Sequence, residues 1–230
     1  MKAVIDTGTM ITLSSTCLMN VFRAFVKANN IELNISKAVA RESVWRPIEN
    51  RRFALNAARI KKIMNDGTVK IIPQTKELES ETNKILNAAN SIFCCNLQGQ
   101  NMKIIQAGEA EALAIAKLNG AKIMFVDERT TRALIENPYR LKQVLERRQG
   151  NPIQMNEENL RICEELIGDI KIFRSVDIIA LAYEQGWFDG ELDHGILELE
   201  AALYAAKYAG CAVSQREIDD YVKNAKPNGK

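Results

Sequence analysis

What most constrains this chain is a succession of short apolar runs separated by stretches with helical periodicity. Lys2–Ile5, Ile31–Ile35, Val69–Ile72, Lys122–Val126 and Ile170–Phe173 are each four or five residues long. The run at 122–126 has no alternation of polarity, the pattern of a parallel strand covered on both faces. Between the runs, apolar residues recur at helical spacing. Met10, Leu13, Leu18, Val21, Phe22, Phe25 and Val26 predict a helix over 10–26. Ser36 is placed to cap a helix through Val44 that Pro47 stops. Further helices are predicted over 48–65, 75–95, 108–119 and from 129 onward. One or two more span 139–168, broken at Gly150-Asn151-Pro152, and others cover 175–185, 191–208 and 214–224. Strands alternating with helices predict an α/β fold with a central parallel sheet.

Composition excludes several classes. Hydrophobic residues make up 47 % and charged residues 26 % of 230, the balance of a soluble globular protein rather than a disordered one. No apolar run approaches the ~20 residues of a membrane span, and no secretory leader is visible, so a cytoplasmic protein with no membrane partner is expected. Five cysteines without recurrent spacing are not a disulfide framework; the vicinal pair Cys94-Cys95 fits a redox-active pair, but burial in a helix is the expectation. The single His194 leaves too little imidazole for a histidine-centred hydrolase or a multi-histidine zinc site.

The net charge of +2 conceals an asymmetry: residues 1–70 carry 12 Lys/Arg against 5 Asp/Glu, and residues 151–230 carry 8 against 15. Such segregation fits either an internal interface or a basic face for a polyanion. The basic stretch Arg41, Arg46, Arg51, Arg52 and Lys61 is accordingly either a phosphate-contacting surface or a solvated or internally docked helix face.

Chemistry is concentrated in carboxylates. Ligands of an open parallel sheet bind at the carboxyl ends of its strands, and Asp6 and Asp127 each follow a predicted strand there. Glu109 opens the helix before the second of these. That helix runs roughly 16 Å away from the edge and the strand returns roughly 16 Å, so Glu109 and Asp127 meet on one rim. Glu42, about two turns into its helix, reaches the same rim if the second strand neighbours the first. Clustered carboxylates invite protons or a hard cation such as Mg²⁺ or Mn²⁺. Equally, each acid could be a helix N-terminal charge favoured by the macrodipole.

Val4-Ile5-Asp6-Thr7-Gly8-Thr9 followed by Ser36–Glu42 resembles the opening motifs of PIN domains. Gly108-Glu109-Ala110-Glu111-Ala112 with Phe125–Arg129 resembles the closing pair, at an eighteen-residue separation of Glu109 and Asp127, and Ser175–Gly186 is similar to the last helix of a prokaryotic subgroup. The resemblance implies a three-layer α/β/α fold over 1–188, with residues 137–169 as a helical insertion and 189–230 as a C-terminal helical extension. It also implies a divalent-metal-dependent endoribonuclease that activates water, often the toxin of a toxin–antitoxin pair with a protein partner, and often a homodimer. Asp6, Glu42, Glu109 and Asp127 are the matching acids. Asp6, Glu109 and Asp127 would hold Mg²⁺ or Mn²⁺, with Glu111 assisting or holding a second ion. Gly8 stands where a serine is common, leaving Thr7 or Thr9 as the supporting hydroxyl. Two other functions fit the same residues: a silent RNA- or protein-binding scaffold, and a structure-specific DNA nuclease.

Overall fold

The computed structural model describes residues 1–95, 99–188, 192–193 and 195–226; His194, Gly190 and the predicted helix start at 191 lie outside them. The first strand, β1 (Lys2–Ile5), ends at Asp6, which caps α1 (Thr7–Ser15). The helix expected over 10–26 is two helices, because Cys17 adopts a left-handed φ of 61° before α2 (Met19–Ala28). The apolar period runs on through this three-residue turn, which hid the break. β2 (Glu32–Ser36) leads into α3 (Lys37–Ala40), where the Ser36 hydroxyl accepts from Val39 N as expected. This helix continues as a π-helical turn, Arg41–Trp45, and Pro47 opens a short 3₁₀ turn. The helix expected from 48 starts only at α4 (Ala54–Asn65) and closes at Gly67, φ 81°, before β3 (Val69–Ile72).

The helix predicted over 75–95 is shorter: α5 (Lys76–Ala89) stops and β4 (Phe93–Cys95) follows. Cys94 and Cys95 are therefore half-buried residues of a strand, not buried helix cysteines. β4 pairs antiparallel with β5 (Gln100–Asn101). Next come α6 (Ala107–Asn119), stopped by left-handed Gly120, then β6 (Ile123–Phe125), α7 (Arg129–Glu136) and α8 (Pro138–Gln149). The purely helical reading of 139–168 is also corrected. After Gly150, β7 (Ile153–Met155) pairs antiparallel with β4 before α9 (Glu157–Ile167). The chain ends with β8 (Lys171–Phe173), α10 (Ser175–Glu184), α11 (Ile196–Ala209) and α12 (Gln215–Asn224).

The main sheet is wholly parallel, in the order β3-β2-β1-β6-β8, and β5-β4-β7 form a small second sheet. Alternation along the central strands divides the core. Ala3, Ile5 and Phe125 pack with α1–α4 on one face, whereas Val4, Met124 and Val126 pack with α5, α6, α8 and α9 on the other. A third cluster joins α10–α12 to Leu18 and Val21. β1 is central: the chain builds outward from it first through β2 and β3, then through β6 and β8. The order reverses between β1 and β6, and such a switch point leaves a crevice at the strands' carboxyl ends.

Candidate functional site

The crevice exists. A cleft of about 360 Å³ beyond β1 and β6 is lined by Asp6, Thr7, Gly8, Glu42, Gln106, Gly108, Glu109, Asp127, Glu128 and Gly210. All four acids that the PIN-like resemblance singles out, Asp6, Glu42, Glu109 and Asp127, are among them. Among the described residues no lysine or arginine is.

Each carboxylate is aimed by the element it begins or ends. Asp6 N donates to Phe125 O (2.9 Å), which locks the first acid to β6. The Asp6 carboxylate, 8 % exposed, accepts from Gly8 N at 3.0 Å. A Cβ on Gly8 would stand 3.2 Å from Asp6 Oδ2, so glycine rather than serine here leaves the carboxylate its room. Burial raises the Asp6 pKa above the usual carboxylate range; amide hydrogen bonds from Gly8 and Thr7 pull it down, and the charges of Glu42 and Asp127 push it up again. Glu42 is exposed on the π-helical turn and accepts from the Thr7 hydroxyl at 3.3 Å. Single π turns inside helices occur often at functional sites.

Glu109 sits in the first turn of α6, and its carboxylate accepts from Gln106 N in a capping box. Burial raises its pKa, the Gln106 amide lowers it, and Asp6 and Glu128 raise it further. Asp127 is 2 % exposed; its two oxygens accept from Ser175 N and Ser175 Oγ, both at 2.7 Å. Ser175 is the first residue of α10, so the dipole of that helix also favours the Asp127 charge. Glu128 caps α7, accepting from Thr131 N at 2.6 Å.

The other candidates fall elsewhere. Glu111 is buried and does not line the cleft, and among the described residues it makes no hydrogen bond or ion pair. This follows from the ~200° between side chains two apart on a helix. Thr9 is fully buried, away from the lining, with an Oγ1 that has no partner among the described residues, so Thr7 is the hydroxyl present. Arg41, Arg46, Arg51, Arg52 and Lys61 are exposed. None of them forms an ion pair among the described residues, and the Arg52 guanidinium lies 5.3 Å over the Phe53 ring. No ion pair among the described residues joins 1–70 to 151–230, so the opposite charges of these segments do not dock by direct pairing.

Sequence reasoning did not assign the site Glu128, Ser175 or the C-terminal contribution. Glu128 adjoins Asp127 at a helix start, a signal that was available. Ser175 lies 48 residues from Asp127 and only the fold brings it there. The segment after α11 supplies Gly210 to the lining and Ala212 N to Asp127 O (2.9 Å), and the Asp127 carboxylate beside buried Cys211 helps burial push that thiol pKa up. Arg174, next to Ser175, fastens this segment: it donates to Ala212 O, Glu217, Asp177 and Tyr221 Oη, and Tyr221 donates to Asp177. Compared with known proteins, the chain matches no family model, no curated protein and no solved structure.

Proposed function

We propose that this protein is a divalent-metal-dependent endoribonuclease of the PIN type. The observation that carries the reading is that, among the described residues, five carboxylates and no cationic side chain line one cleft at the switch point of the sheet. Burial, with the neighbouring carboxylate charges, raises the pKa of Asp6 and of Glu109 there, and a hard cation would relieve that repulsion. The donor set, carboxylates with the Thr7 hydroxyl and the Gln106 amide and without imidazole or thiolate among the described residues, fits Mg²⁺ or Mn²⁺. Asp6, Glu109 and Asp127 would hold the ion. Among the described residues no three Asp, Glu, His or Cys side chains are placed to hold one ion together; Mg²⁺ commonly takes one or two carboxylates and keeps its waters.

When bound, the metal supplies a water of lowered pKa and charge stabilisation for the leaving oxygen. The chain's own residues do the rest. Ser175 fixes the direction of the Asp127 carboxylate, whose oxygens each retain a further lone pair. Glu42, steadied by Thr7, orients the attacking water from the rim. Arg41 adjoins Glu42, and with Arg46, Arg51, Arg52 and Lys61 it offers unpaired cations to RNA phosphates.

A second reading has an observation of its own. Asp6, Glu109 and Glu128 each cap a helix, and Asp127 accepts from the first residue of another, so these acids have structural duties that a silent scaffold would also retain. Labelled single-stranded RNA and DNA, incubated with Mn²⁺, Mg²⁺ or EDTA, decide between them. RNA cleavage that needs the metal and vanishes in Asp6→Asn is expected. Binding without cleavage in every condition would establish the scaffold, and preferential cleavage of branched DNA would move the activity to DNA.

A further inference from the structure

The outer face of α11 is apolar where a surface helix should be polar. Its inner stripe, Leu199, Ala202, Leu203 and Ala206, packs into the third core cluster. On the opposite side Leu197 is 72 % and Tyr208 81 % exposed and Ala201 is exposed, while Tyr204 between them is half-buried and packs in part against the same cluster. Positions 197, 201, 204 and 208 are spaced by four, three and four, within about 60° of one another at 100° per residue. A helix apolar on both faces is ordinarily covered on both. The Tyr204 and Tyr208 rings are already stacked, with centroids 6.1 Å apart, and the Lys207 ammonium lies 5.8 Å from the Tyr204 ring centre.

We propose that this stripe is a dimer interface, on which α11 of a second copy of the chain packs antiparallel across a two-fold axis. The stripe is complementary to itself. Placing the axis midway between Ala201 and Tyr204 sets Leu197 against Tyr208 of the other copy, and the small Ala201 against the large Tyr204, so each ring enters a hole. The charges agree. Glu200 and Lys207 lie on the same flank of the stripe, and in this register Glu200 of one copy stands about 3 Å along the axis from Lys207 of the other. Neither forms an ion pair within the chain among the described residues. A partner of different sequence would have no reason to match this pairing of large with small and of acid with base. The inference does not depend on the nuclease reading.

Sedimentation equilibrium on the full chain tests it. At tens of micromolar the wild type is expected at twice its 25.8 kDa chain mass, dissociating on dilution. Leu197→Glu and Tyr208→Glu, at exposed positions where the fold tolerates charge, should each weaken the dimer about tenfold or more. Glu200→Lys and Lys207→Glu should each weaken it as well, and the double charge swap should restore it. A monomer at every concentration would overturn the proposal and leave the stripe to another protein. A dimer indifferent to Leu197→Glu and Tyr208→Glu would place the interface elsewhere, and a charge swap that fails to restore association would exclude the antiparallel register.

Discussion

Replacing Asp6 by asparagine separates its two duties. The side chain caps α1 through Gly8 N and carries one of the cleft's charges. Asparagine caps a helix about as well as aspartate, whereas alanine forfeits about 1 kcal/mol of capping. Both substitutions remove the same charge, so that contribution cancels when the two variants are compared. Asp6→Asn should then be the more stable by about 1 kcal/mol, or roughly 2–4 °C in Tm for a chain of this size. Against the wild type the sign follows from the raised pKa of Asp6. Each unit of elevation counts about 1.4 kcal/mol against the ionised folded form. That penalty is complete above the folded pKa and absent below the unfolded one, near 3.9. Asp6→Asn should therefore be more stable than wild type at pH 7, with the advantage fading as pH falls toward 4. Thermal unfolding of the three proteins across pH, beside RNA cleavage in Mn²⁺, checks both duties at once. An asparagine variant no more stable than the alanine variant would refute the capping argument; one that cleaves RNA like wild type would refute the catalytic role.

Other consequences follow from the same contacts. Ser175→Ala removes a hydrogen bond to a buried charge and should cost about 1.5–3 kcal/mol in urea unfolding, while weakening Mn²⁺ binding by freeing the Asp127 carboxylate. Arg174→Met removes the cation shared by Asp177 and Glu217, which are partly exposed and keep their hydrogen bonds from Tyr221 and Ser214, and should cost about 1.5–3 kcal/mol; a loss below 1 kcal/mol would show that the C-terminal segment is held otherwise. Burial works against ionised Glu217, but hydrogen bonds from Ser214 and Arg174 bring its pKa to about 2. Its contribution is present above the unfolded value and is lost as pH falls toward 2, and Glu217→Gln should flatten that part of the stability profile. Calorimetric Mn²⁺ titration should show a large loss of affinity in Glu109→Gln and little change in Glu111→Gln, the reverse ranking assigning the ion to Glu111. Stripping the metal with EDTA should lower the wild-type Tm, because a ligand bound only by the folded state stabilises it.

The parts of this fold legible in the sequence were those written within a single element. The strands 2–5, 69–72 and 122–126 announce themselves by apolar runs, and Ser36 and Gly120 announce a helix start and a helix stop. Glu109 and Asp127 could be brought to one edge because only one helix and one strand separate them. What stayed hidden is written between segments. Phe93–Cys95 and Ile153–Met155 are three residues each and become strands by pairing with each other across 58 residues, with no periodicity of their own. The turn at Cys17 depends on one backbone angle that cysteine does not advertise. Glu111, with the same local chemistry as Glu109, differs only by its rotation about the helix, and apolar residues surround both positions in the sequence.

The central place of β1 has a consequence for synthesis. β1 leaves the ribosome ahead of both its neighbours; it pairs on one side with β2, about thirty residues later, but on the other side it must wait for β6 at Ile123–Phe125. At 5–20 residues per second, that edge stays open for about 6–24 s while the chain between is made. Ala3, Val4 and Ile5 on it are wholly apolar, the kind of edge that recruits foreign strands. For that interval the nascent protein carries its sheet half built, and the Asp6 side of the cleft faces water until β6 arrives to supply the other wall.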